Sequence, residues 1–146
     1  TVTVLRDVSV NLDTSVLRAM FPLYLGGTLS GSFDRIEVEQ AGLRQAQGTV
    51  YLQNAIWTAN SGHIPLGDYR IDVAGNAGSA DGIVGEVATE NGALVLSGDI
   101  SLSMDAYTVK LSATGPVARD DGFRRAVSIL AAPTAAGFDI VLQGQL

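Results

Sequence analysis

Between Leu94 and Met104 the chain alternates with almost no exception, and that pattern most narrowly limits what it can fold into. Leu94, Leu96, Gly98, Ile100, Leu102 and Met104 fall on one parity; Val95, Ser97, Asp99, Ser101 and Ser103 fall on the other. A strand sends successive side chains to opposite faces, so a sheet with one face buried and one wet must read this way. The spacing predicts a strand of about eleven residues, long against the usual five or six. After Asp105 and Ala106 the apolar parity changes to Tyr107, Val109 and Leu111, as a reversal of the chain requires. Before the strand stands Glu90-Asn91-Gly92, and Asn-Gly favours a hairpin because both residues tolerate positive φ. Residues 83 to 111 therefore read as a three-stranded meander.

The same alternation recurs upstream. Tyr69, Ile71 and Val73 interleave with Arg70 and Asp72, and Ile36 and Val38 with Glu37 and Glu39. Val50, Leu52 and Ile56 share a parity that excludes Trp57. Val2 and Val4 precede Val8, Val10 and Leu12 on one parity, with Leu5 outside it. Two segments read as short helices. Asp13 can cap one carrying Val16, Leu17 and Met20, with Leu12 stapling against Leu17 and Pro22 soon after. Asp120 or Asp121 can cap the other, where Phe123, Ala126, Val127 and Leu130 form one apolar stripe before Pro133. Glycines within strands, at Gly31, Gly85 and Gly98, favour bulges and a curved sheet, and the stretch Gly75 to Gly82 reads as a mobile loop. The expected fold is mainly β: a curved antiparallel sheet, a meander of hairpins, with one or two short helices packed on it.

Length and composition fit one domain over residues 1 to 146. The chain has 146 residues, 47% hydrophobic and 16% charged, enough apolar surface to offset the entropy of ordering. Its net charge is -6, and of the nine basic residues only Arg124 and Arg125 are adjacent. Binding to nucleic acid or anionic lipid needs clustered cations, so the pattern argues against both. The absence of cysteine excludes disulfides and thiolate metal sites. No run of 18 apolar residues occurs and Thr1 to Val10 lacks the regions of a signal peptide, which leaves a cytosolic protein, a mature exported protein and a fragment trimmed of its membrane anchor as alternatives.

Each group able to do chemistry has a simpler reading. His63 is the single histidine, in Ser61-Gly62-His63-Ile64-Pro65, and reads as a loop residue without a partner base or nucleophile. Glu37 and Glu39 share the polar face of a strand and read as solvated; Asp120 and Asp121 read as helix caps and not as an acid-base pair. Gly75-Asn76-Ala77-Gly78 has no following helix to hold a phosphate, and Asp81-Gly82 near Asp72 lacks calcium-loop spacing. Trp57 reads first as core, with a second layer, a partner or a groove as the alternative. No residue is assigned as catalytic, cofactor-binding or metal-ligating, and no cofactor is expected.

The strand sequences also carry a resemblance. Gly48-Thr-Val-Tyr-Leu-Gln-Asn-Ala-Ile-Trp57, Leu66-Gly-Asp-Tyr69 and Gly92-Ala-Leu-Val-Leu-Ser-Gly-Asp-Ile-Ser-Leu102 resemble the periplasmic part of type II secretion system protein N. Ala106-Tyr-Thr-Val-Lys-Leu111, the helix over 120 to 131 and the final Gly137-Phe-Asp-Ile-Val-Leu-Gln-Gly-Gln-Leu146 resemble the close of that family. The resemblance spans most of residues 20 to 146. It implies the periplasmic β domain of an inner-membrane protein, held by an N-terminal anchor outside these residues. It implies no enzyme activity, an accessory structural role in type II secretion, and other secretion-system proteins as partners. Strand edges left open by the sheet allow a homodimer. The alternative is a periplasmic groove protein whose curved, glycine-rich sheet binds a lipid or another amphiphile.

Overall fold

The computed structural model describes residues 1–15, 25–59 and 62–145. The alternating segments become nine strands: β1 (Thr3–Leu12), β2 (Leu25–Glu39), β3 (Gly42–Ala59), β4 (Gly62–Asn76), β5 (Ile83–Gly92), β6 (Val95–Leu102), β7 (Ala106–Thr114), β8 (Ala131–Pro133) and β9 (Phe138–Gln145). They form one open antiparallel sheet in the order β1-β2-β3-β4-β5-β6-β7-β9-β8. The order follows the chain up to β7, as hairpin connections dictate. A 3-10 turn (Val117–Arg119) and the helix α1 (Asp121–Ala126) then carry it to β8, and β9 returns between β8 and β7.

The sheet has two chemically distinct faces. Residues paired directly across antiparallel strands share a face. The set Leu5, Ile36, Ala46, Ile83, Leu102 and Tyr107 is linked by register to one side, as is Val10, Gly31, Val50, Ile71, Val87, Gly98, Leu111 and Ile140. The opposite side carries Ser32, Thr49, Asp72, Glu86, Ser101 and Thr108. The strand expected over 94 to 104 keeps its parity but is shorter, because Leu94 enters the turn after β5 and Met104 stands exposed in the turn after β6. Nor does the first reversal fall at Asn91-Gly92. Both residues still pair with Asp68 and Gly67, and the chain turns at Ala93 and Leu94.

Sheet curvature follows from distance. Trp57 on β3 and Phe138 on β9 are separated by four strands, about 24 Å in a flat sheet at the usual strand spacing. The Phe123 ring nevertheless touches both, with ring centroids 5.2 Å from Trp57 and 6.1 Å from Phe138. Only a strongly curled sheet can bring those strands around one side chain. Val109, Ala113, Ala118, Phe123 and Phe138 form the driest part of this core, all at 2% exposure or less.

Helix α1 is shorter than the stripe suggested. Asp120 is its N-cap, its Oδ2 accepting the Phe123 N–H at 2.9 Å, while Asp121 lies in the first turn where its charge suits the helix dipole. The helix stops at Ala126, since Ala131 is already committed to pairing with Ile140. Val127 and Leu130 still pack into the core from the following turn. The helix expected after Asp13 falls on residues 16–20, outside the described residues. Asp13 itself accepts the Ser15 N–H at 2.8 Å.

Candidate functional site

Two phase changes, invisible as patterns in the sequence, decide which side chains face inward. In β3, Asn54 takes φ 52° and the pairing slips between Leu52 and Ala55. Leu52 faces inward before the slip, and Ala55 and Trp57 after it. The parity that set Trp57 against Leu52 is thereby reversed, and Trp57 is core at 8% exposure, edge-on to Phe123. In β1, Asp7 takes φ 52° opposite Asp34. Leu5, opposite Ile36, consequently joins Val8, Val10 and Leu12 on the inner face, while Val4, opposite Glu37, faces out.

The β3 irregularity belongs to a row. Gly27 lies beside it in β2, Gly67 opposite it in β4, and Gly92 beyond that in β5. Gly67 (φ 145°) and Gly92 (φ 141°) sit face to face: a Cβ on Gly67 would lie 2.7 Å from the Gly92 Cα. Asp68 fastens this row, and nothing in its sequence context announces the role. One carboxylate oxygen accepts the Asn54 N–H at 2.6 Å and the other the Asn91 side-chain amide at 3.0 Å. A cavity of about 340 Å³ lies over the clamp, lined by Asn54, Pro65, Asp68 and Asn91 among others. Next in the chain, the Tyr69 hydroxyl donates to the Leu94 carbonyl at 2.7 Å, tying β4 to the β5–β6 turn. Burial first, and the Asp68 charge second, push that hydroxyl far above the ordinary tyrosine range.

The residues with chemical potential do not converge. His63 is exposed, its Nδ1 3.1 Å from the Thr58 hydroxyl across the β3–β4 hairpin. No carboxylate joins that pair in the hydrogen bonds described. Glu37 is not solvated, as its place on a polar strand face suggests, but 8% exposed. Arg35 donates to it through Nε at 2.9 Å and through Nη2, and Arg44 stands 4.0 Å away. Arg44 also binds Glu39 at 2.5 Å. Arginine planes from Arg35 of β2 and from Arg44, at a second irregularity of β3 between Leu43 and Gln45, thus cover a carboxylate that would otherwise remain wet.

Arg44 and Glu39 also line a cavity of about 360 Å³ between the β2–β3, β4–β5 and β6–β7 turns, with Leu43, Leu102 and Met104. Their mutual ion pair leaves that wall with little net charge. The 75–82 loop is pinned at its start: Ala77 is 4% exposed and donates to the Arg44 carbonyl at 2.7 Å, and Asn76 Oδ1 accepts the Gly78 N–H. Asp72 pairs with Arg70 at 2.9 Å, holding the guanidinium in its charged form, and Asp120 and Asp121 serve α1. Among the described residues, no three His, Asp or Glu side chains group to hold a metal.

The polar side chains described here fasten bulges, cap a helix or pair with one another, and the fold they serve is an open, curled, two-faced β-sheet module with strand edges exposed. The model of the type II secretion system protein N family matches residues 1–141. The chain belongs to that family and is thereby a component of the type II secretion system. No curated protein and no solved structure gave a significant match to it.

Proposed function

We propose that the chain is a single, non-enzymatic accessory domain of the type II secretion machinery, working in the periplasm as an interaction surface for other secretion-system proteins. Its attachment to the inner membrane would run through an anchor outside these residues. Family membership across residues 1–141 carries this reading. The open part of β9 supplies a mode of contact, since β8 pairs only with Phe138 to Ile140 and leaves one side of residues 141–145 without a partner among the described residues.

The hydrogen-bond pattern gives that edge a usable direction. Thr134 donates to the Gly137 carbonyl at 2.9 Å, which continues the β8–β9 register. Alternate residues of an antiparallel strand serve opposite neighbours, so Val141 and Gln143 turn their N–H and C=O groups to the open side. A partner strand can add there. The experiment is affinity capture of the tagged chain from a periplasmic extract of a bacterium with an active type II pathway, read by mass spectrometry. Co-purification of secretion components, lost in Gln143→Pro without loss of the folded spectrum, supports the reading. Capture that survives Gln143→Pro removes β9 as the contact, and no capture of secretion components removes the partner assignment.

A second reading, a trough for an acyl chain, keeps one observation in its favour. Val8, Val10, Phe33, Val50, Ile71 and Val73 are only half-buried on the inner face. Its other motives are weaker, since Trp57 is packed on Phe123 and the space above Gly48 is occupied by the Phe33 ring, 2.7 Å from where a Cβ would stand. Native mass spectrometry of protein purified from cells tests it through added lipid mass, and a repeatedly clean spectrum rejects it.

A further inference from the structure

The edge at β1, free among the described residues, is longer than the one at β9. Among the described residues its ten positions pair only with β2, and Val4 and Leu5 are 41% and 44% exposed. Natural edges are usually blunted by proline, lysine, a bulge or a short strand. The opposite edge follows that rule, with a three-residue strand that ends in Pro133. β1 has neither proline nor lysine; its only charges are Arg6 and Asp7, and its single irregularity is the positive φ of Asp7 in mid-strand.

That irregularity restricts what can pair with β1. Because the strand changes phase at Asp7, Leu5 and Val8 both face inward although their numbers differ in parity. A regular strand laid alongside would match faces on one side of Asp7 and mismatch them on the other. β2 avoids this by placing its own irregularity, at Asp34, opposite Asp7. A partner on the free side needs the same device at the same place.

We propose that the partner is a second copy of this chain, joined β1 to β1 in an antiparallel, two-fold register that sets Arg6 of each copy opposite Asp7 of the other. In that register Leu5 faces Val8, and Thr3 faces Val10, inner side to inner side; Val4 faces Ser9 on the outer side. Both phase changes then coincide. The charges are self-complementary, Arg6 against Asp7 twice, and the pairing is isologous. The backbone is in phase as well. An L-residue with its side chain inward turns its amide to a fixed side of a given strand, and the alternation propagated from the Ser103 N–H to Ala106 carbonyl bond directs the outward-facing residues of β1, Val4 and Ser9 among them, to the open side. The inner apolar face would run without interruption across an eighteen-stranded double sheet. This pairing goes beyond the secretion role and holds whichever partner β9 takes.

Sedimentation of the purified 146-residue chain, up to about 200 μM, tests it, because a ten-residue edge is a small interface with weak affinity. The expected species has twice the 15.2 kDa mass of the chain. Arg6→Asp alone and Asp7→Arg alone should each weaken the dimer about tenfold or more by facing like charges. The double reversal, Arg6→Asp with Asp7→Arg, should restore it, which also shows that neither change acts by unfolding the chain. In the cysteine-free background, a mixture of V4C and S9C chains should form the crossed disulfide in preference to either homodimer. A monomer throughout the concentration range, a dimer indifferent to the single reversals, or a double reversal that fails to restore it would each overturn the proposal.

Discussion

Toward one end of the sheet Val109 of β7 and Ala118 of the 3-10 turn packed there are fully enclosed; at the other, Leu5 on the edge strand β1 leaves nearly half its surface in water. Both regions are written in the same apolar alternation, so patterning does not distinguish them. The difference lies in closure. Beyond the point where Asn54, Gly67 and Gly92 break the ladder together, Trp57 of β3 meets Phe123 of α1, which also touches Phe138 of β9, and the inner face becomes a core. Around β1 nothing among the described residues folds back, and the same face stays half-wet. Apolar patterning specifies which side of a strand seeks cover; it does not say whether cover arrives from the same chain.

This contrast can be attacked from its strong side first. Phe123→Ala removes the ring that joins Trp57 to Phe138, and loss of a buried phenylalanine costs about 3–5 kcal/mol. Urea unfolding should show that loss together with a rise in fluorescence exposure of Trp57; a change below about 1 kcal/mol would mean that the curl closes without α1.

Asp68→Ala should cost about 2 kcal/mol, since it leaves the Asn54 amide and the Asn91 side chain without their charged acceptor. Proteolysis should then open the chain near Asn54 before it opens the β7–β9 ladder. Cleavage at both places together would place the two in one cooperative unit.

A smaller effect, about 1 kcal/mol at neutral pH, is expected for Tyr69→Phe through loss of the bond to the Leu94 carbonyl. It also has a pH signature. The folded protein holds the Tyr69 proton more tightly than the unfolded chain, whose tyrosines titrate near pH 10. This contribution is complete below that pH and is lost as pH rises above it, toward the raised folded value. Stability of the parent chain should therefore fall more steeply in alkali than that of Tyr69→Phe; parallel curves would show the hydroxyl to be already exposed.

At the open end Leu12→Ser, on a side chain 49% exposed, should change the stability of dilute protein by about 1 kcal/mol or less. A loss as large as that of Phe123→Ala would show β1 to be part of the core.

Much of the fold was readable residue by residue. The strands around Tyr69 to Val73 and Tyr107 to Leu111 stand where alternation put them, that expected over 94 to 104 keeps its parity as the shorter Val95–Leu102, and the Asp120 cap with its Phe123 and Val127 contacts follows from local spacing. The segment 36 to 39 was readable as strand but not as interior, because strand order depends on pairings the chain does not encode locally. It lies in β2, bonded on both sides, so a proline there would break the sheet instead of blocking an edge. The candidate site was less legible. Glu37 alternates like a wet residue and is covered by arginines; Asp68 looks like an ordinary turn acid and fastens a row of bulges.

By itself the sequence determined a two-faced antiparallel β fold, its principal hairpins, one capped helix and the family, because alternation, turn residues and caps act over a few neighbouring residues. Only the tertiary structure decided that Trp57 shares a side with Leu52, that Leu5 shares a side with Val8, and that β1 is the long edge left free among the described residues. The physical reason is shared: one residue at positive φ inverts the facing of every residue beyond it, and whether Asp7 or Asn54 takes that conformation depends on what the neighbouring strand places opposite.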